Sequence, residues 1–281
     1  MKKVIAIVLA LVMALSLAAC GGNGNSNNSG EQSAEPVEIS FCSINMPLRY
    51  TAIEAAAKEI EEKTNGQVKL NIIAGGVMGA DKDLAEAVML GSLGMTFAAD
   101  AMIGQATGTI GWVGLPGYVS TRDEADKYYL SENSAIYKEC DKELAAVGVV
   151  RLGVADAGFR TCQISNKKSC KTLAEVKGLK IRVADDTGYD LYEQIGFIPT
   201  NMSGAEVLTA MTQGTIDGVD NSTGAIAAMG VQDNMYDLIE INAVYGGASV
   251  IVNQDLWNKI SADNQAIVKA AIKSALADYT T

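Results

Sequence analysis

From Val37 onward the chain switches repeatedly between two hydrophobic periods, and this alternation restricts the fold more than any other feature. Val37, Ile39 and Phe41 recur every second residue like one face of a strand, and Ile53, Ala56, Ala57 and Ile60 then recur at helical spacing until Gly66. Val68, Leu70 and Ile72 alternate again, a turn follows at Gly75-Gly76, and the pattern predicts a helix over about 81–90. Strand, helix, strand, helix is the signature of an α/β fold with at least part of its sheet parallel. Thr121-Arg122-Asp123-Glu124 fits a capping box and predicts a long helical stretch to about residue 146, then a strand over 149–154. A second set follows: capping boxes at Thr172-Leu173-Ala174-Glu175 and Ser203-Gly204-Ala205-Glu206, with a strand over 179–183 between them that places Lys180 and Arg182 on one face. A short strand over 216–219 and a closing helix over 261–279 complete the pattern, with no repeat at a period of 20 to 50 residues.

With 281 residues, 48% of them hydrophobic and 20% charged, the chain has the material for about two domains with buried cores. Its net charge of −11 repels phosphate backbones, so no nucleic-acid partner is expected, and an anionic ligand needs locally placed cations. The chain contains no histidine, which removes the commonest general base and metal ligand near neutral pH. Acidic clusters such as Glu59-Glu61-Glu62 read as a solvated helix face, and no motif fixes two carboxylates across a cleft. The expectation is a protein that is not an enzyme and carries no metal or cofactor.

Lys2 and Lys3, the apolar run that follows and Leu17-Ala18-Ala19-Cys20 read as a lipoprotein signal peptide over 1–20, with Cys20 the acylated residue. Residues 21–36 are a Gly/Asn/Ser-rich flexible tether, and no later stretch reaches about 18 consecutive apolar residues. The protein is therefore expected outside the cytoplasm, lipid-anchored to a bacterial membrane, in the periplasm or on the outer face of the cytoplasmic membrane. There disulfides can form. Cys162 and Cys170 flank a polar turn and can face each other across a hairpin; Cys42 and Cys140 read as buried thiols; four cysteines leave three connectivities open.

Several segments in order carry a resemblance: Lys63-Thr64-Asn65-Gly66, Met78-Gly79-Ala80-Asp81, Leu115-Pro116-Gly117-Tyr118, Gly158-Phe159-Arg160, residues 176–183 and Asp217-Gly218-Val219-Asp220-Asn221. Over about 37–281 the chain resembles the solute-binding proteins of tripartite ATP-independent periplasmic (TRAP) transporters, the DctP-like family. The resemblance implies a two-lobed, periplasmic-binding-protein-like α/β fold of type II-like architecture with a ligand cleft between lobes. Lobe I would hold 37–157 plus 247–281 and lobe II 158–246. It further implies capture of a small carboxylate and its delivery to membrane permease subunits. Arg182 matches the family arginine that binds the ligand carboxylate, a role suited to a planar, always-charged fork. Arg160 matches a second arginine that assists, with a hinge salt bridge as its other reading. Asn221 matches an asparagine that bonds the solute and reads equally as a helix N-cap. Asp81 aligns with an acidic residue near the ligand's polar end, though capping explains an Asp at a helix start as well. Ser43 and Asn45 fall where the family lines its cleft, or in an ordinary strand-to-helix loop. Gly204 stands where the family commonly has an aromatic ring on the ligand, which implies either a larger pocket or an apolar contact placed elsewhere. Compared with the family, the C-terminal part reads as shortened. The remaining alternative is an ABC-type receptor or a sensor for amino acids or other small solutes.

Overall fold

The computed structural model describes residues 35–165, 170–277 and 279. Cys20, the signal peptide and nearly all of the tether lie outside them. Strand β1 (Val37–Cys42) leads through helix α1 (Pro47–Lys63) to β2 (Val68–Ile73), which pairs parallel with β1 in register Val37↔Val68. Pro47 takes the first helical position, where its missing N–H costs nothing, and Asn65 and Gly66 at positive φ close the helix. Helix α2 (Asp81–Met89) carries the chain to β3 (Met95–Ala99) and α3 (Asp100–Thr107).

The capping box at Thr121 forms, with the threonine hydroxyl accepting from the Glu124 N–H and the Glu124 carboxylate accepting from the Thr121 N–H. The single long helix predicted after it does not. A short turn (Arg122–Glu124) runs into a π-helical turn (Ala125–Tyr129), and a separate helix α4 (Ala135–Ala146) restarts beyond Ser134. Ser134 breaks the helix because its hydroxyl accepts from the Tyr137 N–H while donating to the Tyr128 carbonyl, so it serves as the N-cap of the second helix.

Strand β4 (Val149–Ser165) is far longer than the segment predicted over 149–154. After it come β5 (Lys180–Val183), α5 (Asp186–Ile195), β6 (Ile198–Asn201), α6 (Val207–Gln213), β7 (Gly218–Ser222), α7 (Thr223–Ala228), β8 (Met235–Ile239), β9 (Tyr245–Asn253) and the closing helix α8 (Ala262–Ala277). The strand order is β2-β1-β3-β9-β4-β7-β5-β6, with β8 on β4. The first half of β4 pairs antiparallel with β9 from Val149↔Asn253 to Phe159↔Tyr245; its second half pairs with β7 on one side and β8 on the other. Each half has its own cores. Ile39, Phe97, Val250 and Ile272 pack in one cluster of the first half and Leu84, Ile103 and Leu144 in another. Ile164, Ile181 and Tyr192 lie on one face of the second half's sheet, and Val207, Val219 and Ile226 on the other.

The possible Cys162–Cys170 disulfide is not formed; both are buried thiols. The hairpin it required does not exist, because the neighbours of Cys162 are Asp220 on β7 and Ile239 on β8. The Cys170 N–H instead donates to the Asp237 carboxylate at 2.6 Å.

Candidate functional site

In open α/β sheets the backbone diverges beyond the carboxyl ends of parallel strands, and ligands bind in the crevices left there. Here two such edges exist. One is formed by β1, β2 and β3, the other by β7, β5 and β6. Ser43 and Asn45 follow β1, and Asp81 opens α2 beside the end of β3; Arg182 stands near the end of β5, Asn221 near the end of β7, and Gly204 just past β6. The fold thus distributes the predicted residues over the carboxyl edges of both halves.

Arg182 is 4% exposed, yet it makes no ion pair among the described residues. Its Nε donates to the Met202 carbonyl at 2.9 Å, while its buried Nη1 has no hydrogen-bond partner. Burial and the like charge of Arg160 push its pKa down to about 10, against the pull of Asp220 and Asp185. The group is still charged at neutral pH. An unpaired buried cation is costly, and an incoming carboxylate offers it both charge and acceptor.

Arg160 is placed differently. Its Nη1 donates to Asp185 Oδ2 and its Nη2 to Asp220 Oδ2. Asp185 is also held by the Gly188 N–H at 2.7 Å, and Asp220 by the Tyr192 hydroxyl at 3.0 Å. A Cβ at position 188 would lie 3.3–3.4 Å from Asp185, Arg160 and Asp220 at once, so glycine lets the first turn of α5 close over the cluster. Burial works to lower the Arg160 pKa but the two carboxylates outweigh it and raise it. For Asp185 burial is likewise outweighed, by Arg160, and the carboxyl is held below its ordinary value; for the deeper Asp220 burial prevails and the carboxyl is pushed up. Arg160 therefore spends its charge on two protein carboxylates, the salt-bridge arrangement that was the second reading of this residue.

Asn221 lies two residues beyond Val219, the β7 partner of Arg182, so it shares the face of Arg182 roughly 7 Å further along. Its side-chain oxygen accepts from the Ser222 N–H at 2.9 Å, and its amide nitrogen makes no hydrogen bond among the described residues. The N-cap of α7 is Ser222 rather than Asn221, since the serine hydroxyl accepts from the Ala225 N–H. Gly204 opens a 3-10 turn, and a Cβ built there would meet Met229 Cε at 3.2 Å. A methionine thus occupies the space that a side chain at 204 would need.

On the opposite edge, Asp81 pairs with Arg49 at 2.7 Å and accepts from the Ala99 N–H at 3.0 Å. Arg49 also donates to the Phe97 carbonyl at 2.8 Å, as does the Ser43 hydroxyl at 2.7 Å. Ser43 and Asp81 are buried in this network, whereas Asn45 is exposed, its backbone packed against Gly76. The sequence analysis did not single out Arg49. It occupies the first turn of α1, whose buried face is otherwise apolar, and its partner lies 32 residues away. Among the described residues no group of three His, Cys, Asp or Glu is placed to hold a metal, and no helix is long and apolar enough to cross a membrane. A cavity of about 360 Å³ lies elsewhere, between Arg122, Asp156, Glu132 and Lys273.

The family model for bacterial extracellular solute-binding protein, family 7 (DctP) matches residues 45–281. A solute-binding protein of Verminephrobacter eiseniae is 30% identical over 250 residues, covering 85% of this chain and 71% of that protein. A TRAP periplasmic solute-binding protein from Roseobacter denitrificans, with bound β-D-glucuronate, superposes with a TM-score of 0.78 at 22% identity, covering 86% of this chain and 80% of that one. Another from Ralstonia eutropha H16, with bound (S)-2-acetolactate, gives 0.77 at 22% identity over 86% and 78%.

Proposed function

Because this chain belongs to the bacterial extracellular solute-binding proteins of family 7, the DctP-like binding proteins of TRAP transporters, we propose that it captures a small organic acid and delivers it to membrane permease subunits. The family is one of solute-binding proteins for transport, not an enzyme class, and its match favours this reading over the ABC-type alternative. The observation that carries the reading is Arg182: a buried guanidinium whose Nη1 has no hydrogen-bond partner and which makes no ion pair among the described residues, at the carboxyl edge of a parallel sheet. The acids held by the Roseobacter and Ralstonia proteins are of the kind that such a group receives.

In this reading residues 37–157 with 247–281 form lobe I and 158–246 lobe II, in keeping with separate cores in the two halves of the sheet. Arg182 takes the carboxylate, and Asn221 donates its free amide N–H to a ligand oxygen. Ser43, Asn45, Asp81 and Arg49 shape the facing edge, and Arg160 holds Asp185 and Asp220. Cys20 tethers the protein to the membrane by lipid, which fatty-acid labelling that disappears in Cys20→Ser would establish and labelling that persists would disprove.

The decisive experiment is titration calorimetry across a panel of carboxylates with the wild type and Arg182→Met. Truncating one partner of a buried charge pair costs about 2–5 kcal/mol, so the variant should bind about 30- to 5000-fold more weakly. Unchanged affinity in a folded variant would remove the basis of the proposal.

A further inference from the structure

The carboxyl edge of the first half is held together from the first turn of α1, and the inference drawn from this rests on that edge being the second wall of the proposed carboxylate site. The loop after β2 has little of its own to hold it. Residues 74–80 carry no charge and bury no side chain, and Gly75, Gly76 and Gly79 all sit at positive φ. Val77 is 73% exposed. A loop of this composition is ordered only where its backbone groups find fixed partners.

Tyr50 supplies them. Its ring is buried edge to face on Phe41, and its hydroxyl lies between the ends of β1 and β2. That hydroxyl donates to the Ser43 carbonyl at 2.6 Å, with the Ile73 carbonyl at 3.2 Å as the other acceptor in reach, and accepts from the Gly76 N–H at 3.2 Å and the Ser43 N–H at 3.3 Å. One donor and two lone pairs are all that a hydroxyl has, so each is spent on the backbone of these two strand ends. The far end of the loop is fixed by Asp83, which accepts from the Ala80 N–H at 2.9 Å. A Cβ at position 76 would lie 2.7 Å from the Asn45 nitrogen, so the loops after β1 and β2 touch. Arg49, one residue earlier, ties Phe97 to Asp81. Two adjacent residues of one helix turn thus join the carboxyl ends of β1, β2 and β3. Phenylalanine at position 50 would fill the same space against Phe41, so the hydroxyl is not there for packing.

We propose that Tyr50 is a positioning residue, whose hydroxyl holds the loops 44–48 and 74–80 in their binding shape before a solute arrives. Ordering a loop at the moment of binding costs affinity, and a loop already held avoids that loss.

The test compares the full chain with its Tyr50→Phe variant by amide hydrogen exchange and by calorimetric titration with D-glucuronate and (S)-2-acetolactate, the acids held by the two relatives above. Without the hydroxyl the Gly76 amide should exchange about tenfold faster relative to Val250 in the core, the upper end of what one hydrogen bond is worth. Whichever acid the wild type binds should bind about tenfold more weakly, at a temperature where the variant is fully folded. A loss of stability alone would leave that affinity unmoved. Added acid should also slow Gly76 exchange more in the variant than in wild type. Should Tyr50→Phe fail to fold, Gly76→Ala pushes the same two loops apart and carries the same expectation for affinity. Gly76 exchange unchanged relative to Val250, or faster exchange with affinity unchanged, overturns the inference and leaves the carboxylate-binding role intact. A wild type that binds neither acid overturns it together with the reading beneath.

Discussion

The two arginines of the second half can be separated by removing the one that makes two ion pairs. Arg160, Arg182, Asp185 and Asp220 form a cluster of two cations and two anions, neutral before any ligand arrives. In Arg160→Met the cluster becomes −1, and the two orphaned carboxylates act on Arg182 in two ways. They compete for its guanidinium, and they repel an incoming anion. One unit charge at roughly 7 Å, at an effective dielectric constant of about 20, amounts to about 2.4 kcal/mol, or roughly a 60-fold loss of carboxylate affinity. A direct contact between Arg160 and the ligand would give a similar loss, so the single variant does not distinguish the two origins. The triple variant Arg160→Met/Asp185→Asn/Asp220→Asn does. If Arg160 serves to neutralise Asp185 and Asp220, removing all three charges together should restore affinity to within about tenfold of wild type. Replacing a whole buried ion cluster by neutral groups is often tolerated by the fold, whereas removing one member is not. Calorimetry on variants whose folding has been checked by circular dichroism reads the outcome. A triple variant as weak as Arg160→Met would refute the reasoning and return Arg160 to the ligand.

Two other consequences are open to measurement. Gly247→Ala puts a methyl group on the Tyr129 ring, with Cζ 2.6 Å away, and that ring is fixed by its hydroxyl on Asp100 and by Tyr245 at 5.4 Å; urea unfolding should show a loss of about 3 kcal/mol, and a midpoint unchanged from wild type would contradict the contact. The folded pKa of Asp185 is depressed despite its burial, chiefly by Arg160, so its stabilisation is present above the unfolded value of about 3.9 and is lost as pH falls through the folded one; the Asp185→Asn variant should therefore lose stability less steeply than wild type below about pH 4, and parallel curves would show that the pair is not linked to folding.

The elements that announced themselves in the sequence are those with one wet face. Strands β1 and β2 alternate because one side packs on α1, and their parallel register follows from the intervening helix. Strand β9 gave no such signal: Ala248 to Val252 are buried on both faces between β3 and β4, so no polar positions interrupt the run, and Gly246-Gly247 reads locally as a turn. The site divides in the same manner. Arg182 was found through resemblance, and its structural peculiarity, burial without an ion pair among the described residues, is a property of space that no spacing encodes. Arg49 and the partners of Arg160 were missed because their carboxylates lie 25 to 60 residues away. Ser134 was legible in principle: Ser131-Glu132-Asn133-Ser134 is dense in helix-capping residues, and the periodicity was extended through it.

Strand β4 belongs to both halves of the sheet, bonded to β9 in the first and to β7 and β8 in the second, over 17 unbroken residues. Neither set of cores can melt without stripping that strand from the other. Heating should therefore produce one cooperative transition for residues 37–277 in place of two separate ones, and a destabilising change beside either end of β4 is felt by the whole molecule.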